Sequence, residues 1–180
     1  MSIHSQSRKD PPSPRAVLPA SFNRCRNSRE PGAAADADVQ RNLASPCFPP
    51  LHAARHVWEE MLLHCQEERP YEACGLFSGK KGRIETIWRM ENVRRSPVSF
   101  SMDVHEIENV LQAMQSRGER MTGIYHSHPT APAIPSPEDI AHAHYPEAAY
   151  IIVSLQDDPP SWGCYRVIGQ RATPIRLSLY

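Results

Sequence analysis

Thr122-Gly123-Ile124-Tyr125-His126-Ser127-His128-Pro129, with Ser136-Pro137-Glu138-Asp139 close behind it, is the stretch around which the chain is organised. Thr122 to Tyr125 predicts a strand that runs into the histidines, and on a strand the side chains at i and i+2 leave the same face. His126 and His128 then point to one place, and Ser127 points the other way. Asp139 adds a carboxylate, so two imidazoles and one acid offer three ligands to a single Zn2+ ion. Three protein ligands leave a fourth tetrahedral position for water, as in a catalytic zinc, whereas a structural zinc closes with four.

Outward from this stretch, Ser136 reads as an N-cap with Pro137 at the first helical position, opening a short helix that Pro146 closes. Residues 149–155 form an unbroken apolar run, the pattern of a central strand, while 163–168 and 173–179 alternate as more exposed strands do. Upstream, Asp103 with Glu106 predicts a capping box, followed by a buried stripe of Ile107, Val110, Leu111 and Met114 until Gly118. Residues 73–78 and 83–89 are two strands joined through Gly79-Lys80-Lys81-Gly82 as a hairpin. A first helix spans about 52–68, with Val57, Met61, Leu62 and Cys65 on one face and Pro70 ending it. The expected class is α/β or α+β, one mixed sheet with helices.

Residues 1–50 differ from the rest. They hold eight of the 18 prolines together with Ser, Arg and Ala clusters, and such a segment buries too little apolar surface to offset its ordering entropy. The expectation is a disordered tail over 1–50 and one domain over 51–180. An organelle transit helix is disfavoured by Pro11, Pro12 and Pro14. The 180 residues carry 20 basic and 20 acidic side chains, so no net field draws the chain to nucleic acid or to an anionic membrane. It lacks both the ~18-residue apolar run of a membrane span and the shorter apolar stretch of a secretory signal, which predicts a cytoplasmic protein. Cys25, Cys47, Cys65, Cys74 and Cys164 are widely spaced without a CxxC pair, so reduced thiols are expected.

A zinc held by two neutral imidazoles and one carboxylate keeps about +1 of formal charge and draws the pKa of its water from ~15.7 towards ~7. Hydrolysis also needs a group that takes the water proton and passes it to the leaving amine. Glu72, in Tyr71-Glu72-Ala73-Cys74-Gly75, is the best candidate because it leads into an apolar strand able to lie beside His126. Spacing alone does not fix that neighbour. The Ser136 hydroxyl, at the same helix start as Asp139, is the candidate donor to the oxygen that turns negative during attack.

Glu72, the HxHP of His126-Ser127-His128-Pro129 and the SxxD of Ser136-Pro137-Glu138-Asp139 together resemble the JAMM/MPN+ zinc metallopeptidases, specifically the short prokaryotic JAB-type members. The resemblance covers about residues 51–180, and ExCG around Glu72 strengthens it. Asn92, Ser96-Pro97 and Phe100-Ser101-Met102-Asp103 look like the loop that leads to the family's helix between glutamate and HxHP. The resemblance implies an MPN/JAB-like sheet flanked by helices, similar to the three-layer arrangement of cytidine deaminases. It also implies that His126, His128 and Asp139 bind zinc, that Glu72 is the acid/base and that Ser136 steadies the oxyanion. The implied activity is cleavage of a peptide or isopeptide bond after the C-terminal glycines of a ubiquitin-like or sulfur-carrier protein. Only 156–161 separates two of the strands, so a minimal catalytic core is implied, with a narrow groove in which a Gly-Gly tail pairs with a sheet edge.

Simpler readings stand beside these. The SPED tetrapeptide works as a cap and first turn without any metal. His142 and His144 are expected to face solvent or the substrate entrance, and His52, His56 and His64 to be surface residues beside the apolar stripe of the first helix. Cys74 is expected to be a small buried thiol, and Arg94-Arg95 a solvated basic spot. The competing functions are a non-catalytic MPN-type scaffold and a RadC-type zinc protein, whose motif carries Asn where Ser127 stands. A zinc deaminase is disfavoured because its H-x-E and PCxxC elements are absent.

Overall fold

A computed structural model describes residues 48–180. The expectation for the tail concerns, up to residue 47, residues outside those described, as do Cys25 and Cys47. In order the elements are β1 (Leu51–Ala53), α1 (Arg55–Glu67), β2 (Cys74–Gly79), β3 (Arg83–Ile84), β4 (Thr86–Met90), α2 (Val104–Ser116), β5 (Arg120–His128), α3 (Pro137–Ala141), β6 (Ala149–Ser154), β7 (Ser161–Ile168), β8 (Arg171–Pro174) and β9 (Leu177–Leu179).

The main sheet is mixed and six-stranded, ordered β4-β2-β5-β6-β7-β8. β5 and β6 run parallel at its centre, and the other neighbours pair antiparallel. The apolar run over β6 is buried at all six positions, because both faces of the sheet are covered. Val57, Trp58, Met61 and Cys65 of α1 pack with Phe77, Tyr125, Ile151 and Val153 on one face. On the other, Met114 with the partly buried Ile107, Val110 and Leu111 of α2 meets Leu76, Ile124, Tyr150 and Val167. Helix, sheet and helix therefore form three layers, and each fully buried large side chain such as Met61 or Phe77 contributes about 1.5–3 kcal/mol. Alternation along β5 sends Tyr125 to the α1 side and Ile124 to the α2 side.

Gly75 shows what the sheet demands of its residues. A Cβ there would lie 2.4 Å from the Trp88 carbonyl oxygen and 2.5 Å from the Tyr125 ring, so only glycine fits. The β2–β4 connection turns through Lys81 and Gly82, both at positive φ (53° and 74°).

Several boundaries differ from the sequence reading, for one shared reason. A second, three-stranded sheet, ordered β3-β1-β9 with both pairings parallel, draws short segments out of elements that look continuous. The first helix begins at Arg55 instead of 52, because Leu51 and Ala53 bury themselves as a strand. The strand expected over 83–89 breaks at Glu85: Ile84 joins β1, while β4 stays on β2. The strand expected over 173–179 likewise divides into β8 on the main sheet and β9 on the small one. Independently of the small sheet, the helix after Ser136 has five residues and ends at the His142 C-cap, before Pro146.

His64 is a further correction. It is 5% exposed rather than on the surface, because α1 turns it onto Tyr125, whose hydroxyl lies 2.8 Å from His64 Nδ1. Burial lowers its pKa, with Arg89 adding to the effect. His52, His56, His142 and His144 are exposed as expected. Cys65, Cys74 and Cys164 are buried free thiols, and burial pushes Cys65 and Cys164 up to about 12. Among the described residues no helix is long and apolar enough to cross a membrane.

Candidate metal centre and catalytic groups

The end of β5 presents His126 and His128 on the α2 face, and α3 brings Asp139 against them. The two Nε2 atoms lie 3.1 Å apart, with Asp139 Oδ1 3.3 Å from His126 Nε2 and Oδ2 3.5 Å from His128 Nε2. A tetrahedral ion with ligand bonds of about 2.0–2.1 Å sets neighbouring ligands ~3.3 Å apart, so this triangle has the dimensions of one face of such a site. The tautomer fits as well. His128 Nδ1–H donates to the Pro132 carbonyl at 2.7 Å, which leaves the Nε2 lone pair facing the other two groups. Converging lone pairs and a carboxylate, with both histidines buried (2% and 5% exposed), are the donor set a divalent cation compensates.

Protonation follows from these contacts. Burial lowers the pKa of His126. For His128 burial acts in the same direction, but hydrogen bonds to Asp139 and the Pro132 carbonyl outweigh it and the net shift is upward. Burial opposes ionisation of Asp139 too, yet the two imidazoles hold its carboxyl far below the usual range.

Glu72 reaches the same face through sheet register. Cys74 pairs with His126 across β2 and β5, so two residues earlier Glu72 comes opposite His128, and residues opposite one another share a face. Ser127 fastens this extension of β2. Its amide donates to the Ala73 carbonyl at 3.0 Å, and its hydroxyl accepts the Ala73 amide at 2.9 Å. Asn92 holds the other side: Nδ2 donates to the carbonyls of Glu72 (3.0 Å) and Ser99 (3.1 Å), while Oδ1 accepts the amides of Arg94 and Ser101. The Glu72 amide donates to the Ser96 carbonyl at 2.9 Å. The carboxyl, in a residue 4% exposed, is pushed up to about 7 by burial; His128 opposes the shift and Asp139 adds to it.

The prokaryotic JAB-domain homologues, as a family, match this chain over residues 54–166. The chain belongs to that family. Over 99 residues, 54% of this chain and 68% of the relative, it is 38% identical to the CysO-cysteine peptidase of Mycobacterium tuberculosis. Over 103 residues, 57% of this chain and 68% of the relative, it is 35% identical to a probable TtuB-protein conjugate cleaving protease of Thermus thermophilus. A protein of Desulfitobacterium hafniense solved in solution superposes with a TM-score of 0.67 and 32% identity, covering 72% of this chain and 92% of the other.

In this JAB domain the loop between HSHP and SPED is anchored at three successive carbonyls. Ser154 Oγ donates to Ala131 O at 2.7 Å, His128 Nδ1 to Pro132 O, and the Tyr165 hydroxyl to Ala133 O at 2.8 Å. β6, β5 and β7 therefore fix the chain that carries Asp139. The capping box is present in full: Ser136 Oγ accepts the Asp139 amide at 3.1 Å and Asp139 Oδ2 accepts the Ser136 amide at 2.7 Å. Cap and candidate ligand are thus one arrangement, because the cap orients the carboxylate that faces the histidines.

All five residues singled out from the sequence meet on this face or at its edge. The sequence reading gave no role to Ser154 and Tyr165, which lie in strands remote in sequence and carry no local signal. Phe100 stacks on the His126 ring (centroids 4.7 Å, 26° between planes), in a segment marked only by family resemblance. Arg94 is not simply solvated, since it pairs with Glu138 of α3 at 2.7 Å. His142 and His144 stay outside the triangle.

Proposed function

We propose that this JAB-family chain is a zinc-dependent peptidase or isopeptidase that hydrolyses the bond after the C-terminal glycines of a ubiquitin-like or sulfur-carrier protein. The observation that carries the reading is the triangle of the buried His126 and His128 with the partly buried Asp139, and Glu72 on the same sheet face. The names of the relatives, a CysO-cysteine peptidase and a TtuB-conjugate protease, support the substrate class.

In this reading His126, His128 and Asp139 hold the ion, which supplies Lewis acidity and a water of lowered pKa. Glu72 takes a proton from the attacking water and returns it to the leaving nitrogen, a task suited to a buried carboxyl on the same sheet face as the histidines. Ser136 Oγ accepts the Asp139 amide, so its own O–H remains free to donate to the carbonyl oxygen as negative charge grows. Phe100 and the Asn92 loop keep His126 and Glu72 in place. The tail of the carrier pairs along β4, the edge strand whose last residue, Met90, lies opposite Cys74, which in turn lies opposite His126, so β4 ends level with the histidines and two strands away, about 9.6 Å.

The test is incubation of the purified chain with Gly-Gly carrier proteins joined to lysine, to cysteine or to a peptide, with product masses read in the presence and absence of a chelator. Zinc at one equivalent with carrier release that the chelator stops is the expected result. A zinc-loaded chain that cleaves none of the three adducts overturns the proposal and leaves the scaffold reading.

A further inference from the structure

The groups gathered around His126 and His128 come from two halves that lie on either side of β5. On one side stands Glu72, ahead of β2, with its amide on the Ser96 carbonyl and its own carbonyl held by Asn92 Nδ2. On the other stands α3 with Ser136 and Asp139, reached by a loop whose carbonyls are fastened to Ser154 of β6 and Tyr165 of β7. In the sheet order β2-β5-β6 the nearer supports are two strands apart, about 9.6 Å. Among the described residues one polar contact joins the loop over 91–103 to α3: Arg94 Nη1 donates to Glu138 Oε1 at 2.7 Å.

Both ends of that contact are set by their own backbone. The turn over 92–95 closes with the Arg95 amide on the Asn92 carbonyl at 2.9 Å, and Asn92 Oδ1 accepts the Arg94 amide at 3.1 Å. Arg95 takes a positive φ of 45° and pairs with Glu91, which leaves Arg94 as the cation of this turn that meets α3. Glu138 sits between Pro137 and Asp139 in the capped first turn, the same turn that aims Asp139. An ion pair with side chains 38% and 48% exposed adds little to stability. Its effect is on position, because a misplacement of ~1 Å between reacting groups is enough to cost about 10²-fold in rate. We infer that Arg94 is a positioning residue: paired with Glu138, it braces the loop that holds Glu72 against α3 and so keeps Glu72 and the Ser136–Asp139 turn at a fixed separation across β5. The inference rests on the hydrolase reading of the site.

The test uses the full zinc-loaded chain with Gly-Gly carrier adducts of lysine, of cysteine and of a peptide, and compares Arg94→Glu, Glu138→Arg and the double exchange. Each single variant is expected to keep its zinc and a KM within about twofold of wild type while kcat falls about 10-fold, and the double exchange, which restores an ion pair of reversed polarity, to recover most of that loss. Arg94→Gln, which adds no like-charge repulsion, is expected to lower kcat as well, by a smaller factor. Single variants as fast as wild type, a double exchange as slow as the singles, or a rise in KM with kcat unchanged overturns the brace and leaves the hydrolase reading standing. A wild-type chain that cleaves none of the adducts sinks the hydrolase reading and the brace with it.

Discussion

Ser127 and Ala73 are joined twice, amide to carbonyl at 3.0 Å and amide to hydroxyl at 2.9 Å, and this double link carries Glu72 to the face that bears His126 and His128. Ser127→Ala leaves the buried Ala73 amide without its acceptor, which costs about 1–3 kcal/mol in urea unfolding. Zinc content stays near one equivalent while kcat falls, because the substitution loosens Glu72 and spares the ligands. Loss of zinc together with activity would contradict this division.

His126→Ala is expected to abolish both zinc binding and cleavage, as measured by metal analysis beside the carrier assay. Tyr165→Phe removes only the donor to Ala133 O. It should weaken zinc affinity by roughly 10-fold, within the range for partners that orient ligands.

Glu72→Gln keeps zinc and lowers cleavage by about 10² to 10⁴. It also changes the pH dependence of stability in the metal-free protein. A carboxyl raised from 4.5 to about 7 on folding stabilises the native state fully below pH 4.5, and that advantage is lost as pH rises through 7. Relative to the Gln variant, the wild type should therefore lose about 3 kcal/mol between pH 4 and pH 8. Parallel stability curves for the two proteins would rule out the buried, protonated Glu72.

Ser136→Ala and Ser136→Asp separate two roles of one hydroxyl. Alanine removes the cap, at about 0.5–2 kcal/mol, whereas aspartate restores it without an O–H donor. If Ser136 also donates to the oxyanion, both variants lose about 10² to 10³ in kcat. Recovery of activity in the aspartate variant would reduce Ser136 to a cap.

Gly75→Ala places a Cβ 2.4 Å from the Trp88 carbonyl oxygen, a backbone atom that does not move aside cheaply. Destabilisation by roughly 1–3 kcal/mol follows, visible as a lower melting temperature.

How far the sequence reached depended on the range of each interaction. The pairing of His126 with His128 across Ser127 is a property of strand alternation, and the Ser136–Asp139 cap is a property of one helical turn, so both were legible locally. The all-buried β6 and the α2 stripe were legible for the same reason. His64 was misplaced because the spacing on a helix does not say which neighbour, here Tyr125, will accept a histidine into the core.

The chain by itself determined the donor types, their spacing and the succession of helices and strands, since periodicity and short-range stereochemistry are written residue by residue. Tertiary structure alone decided that Glu72 stands opposite His128, that Tyr165 and Ser154 hold the loop bearing Asp139, and that Leu51, Ile84 and Leu177 leave their expected elements for a second sheet. Those outcomes rest on pairing between segments tens of residues apart, where the energy of burial and of satisfied backbone hydrogen bonds, not local preference, selects the partner.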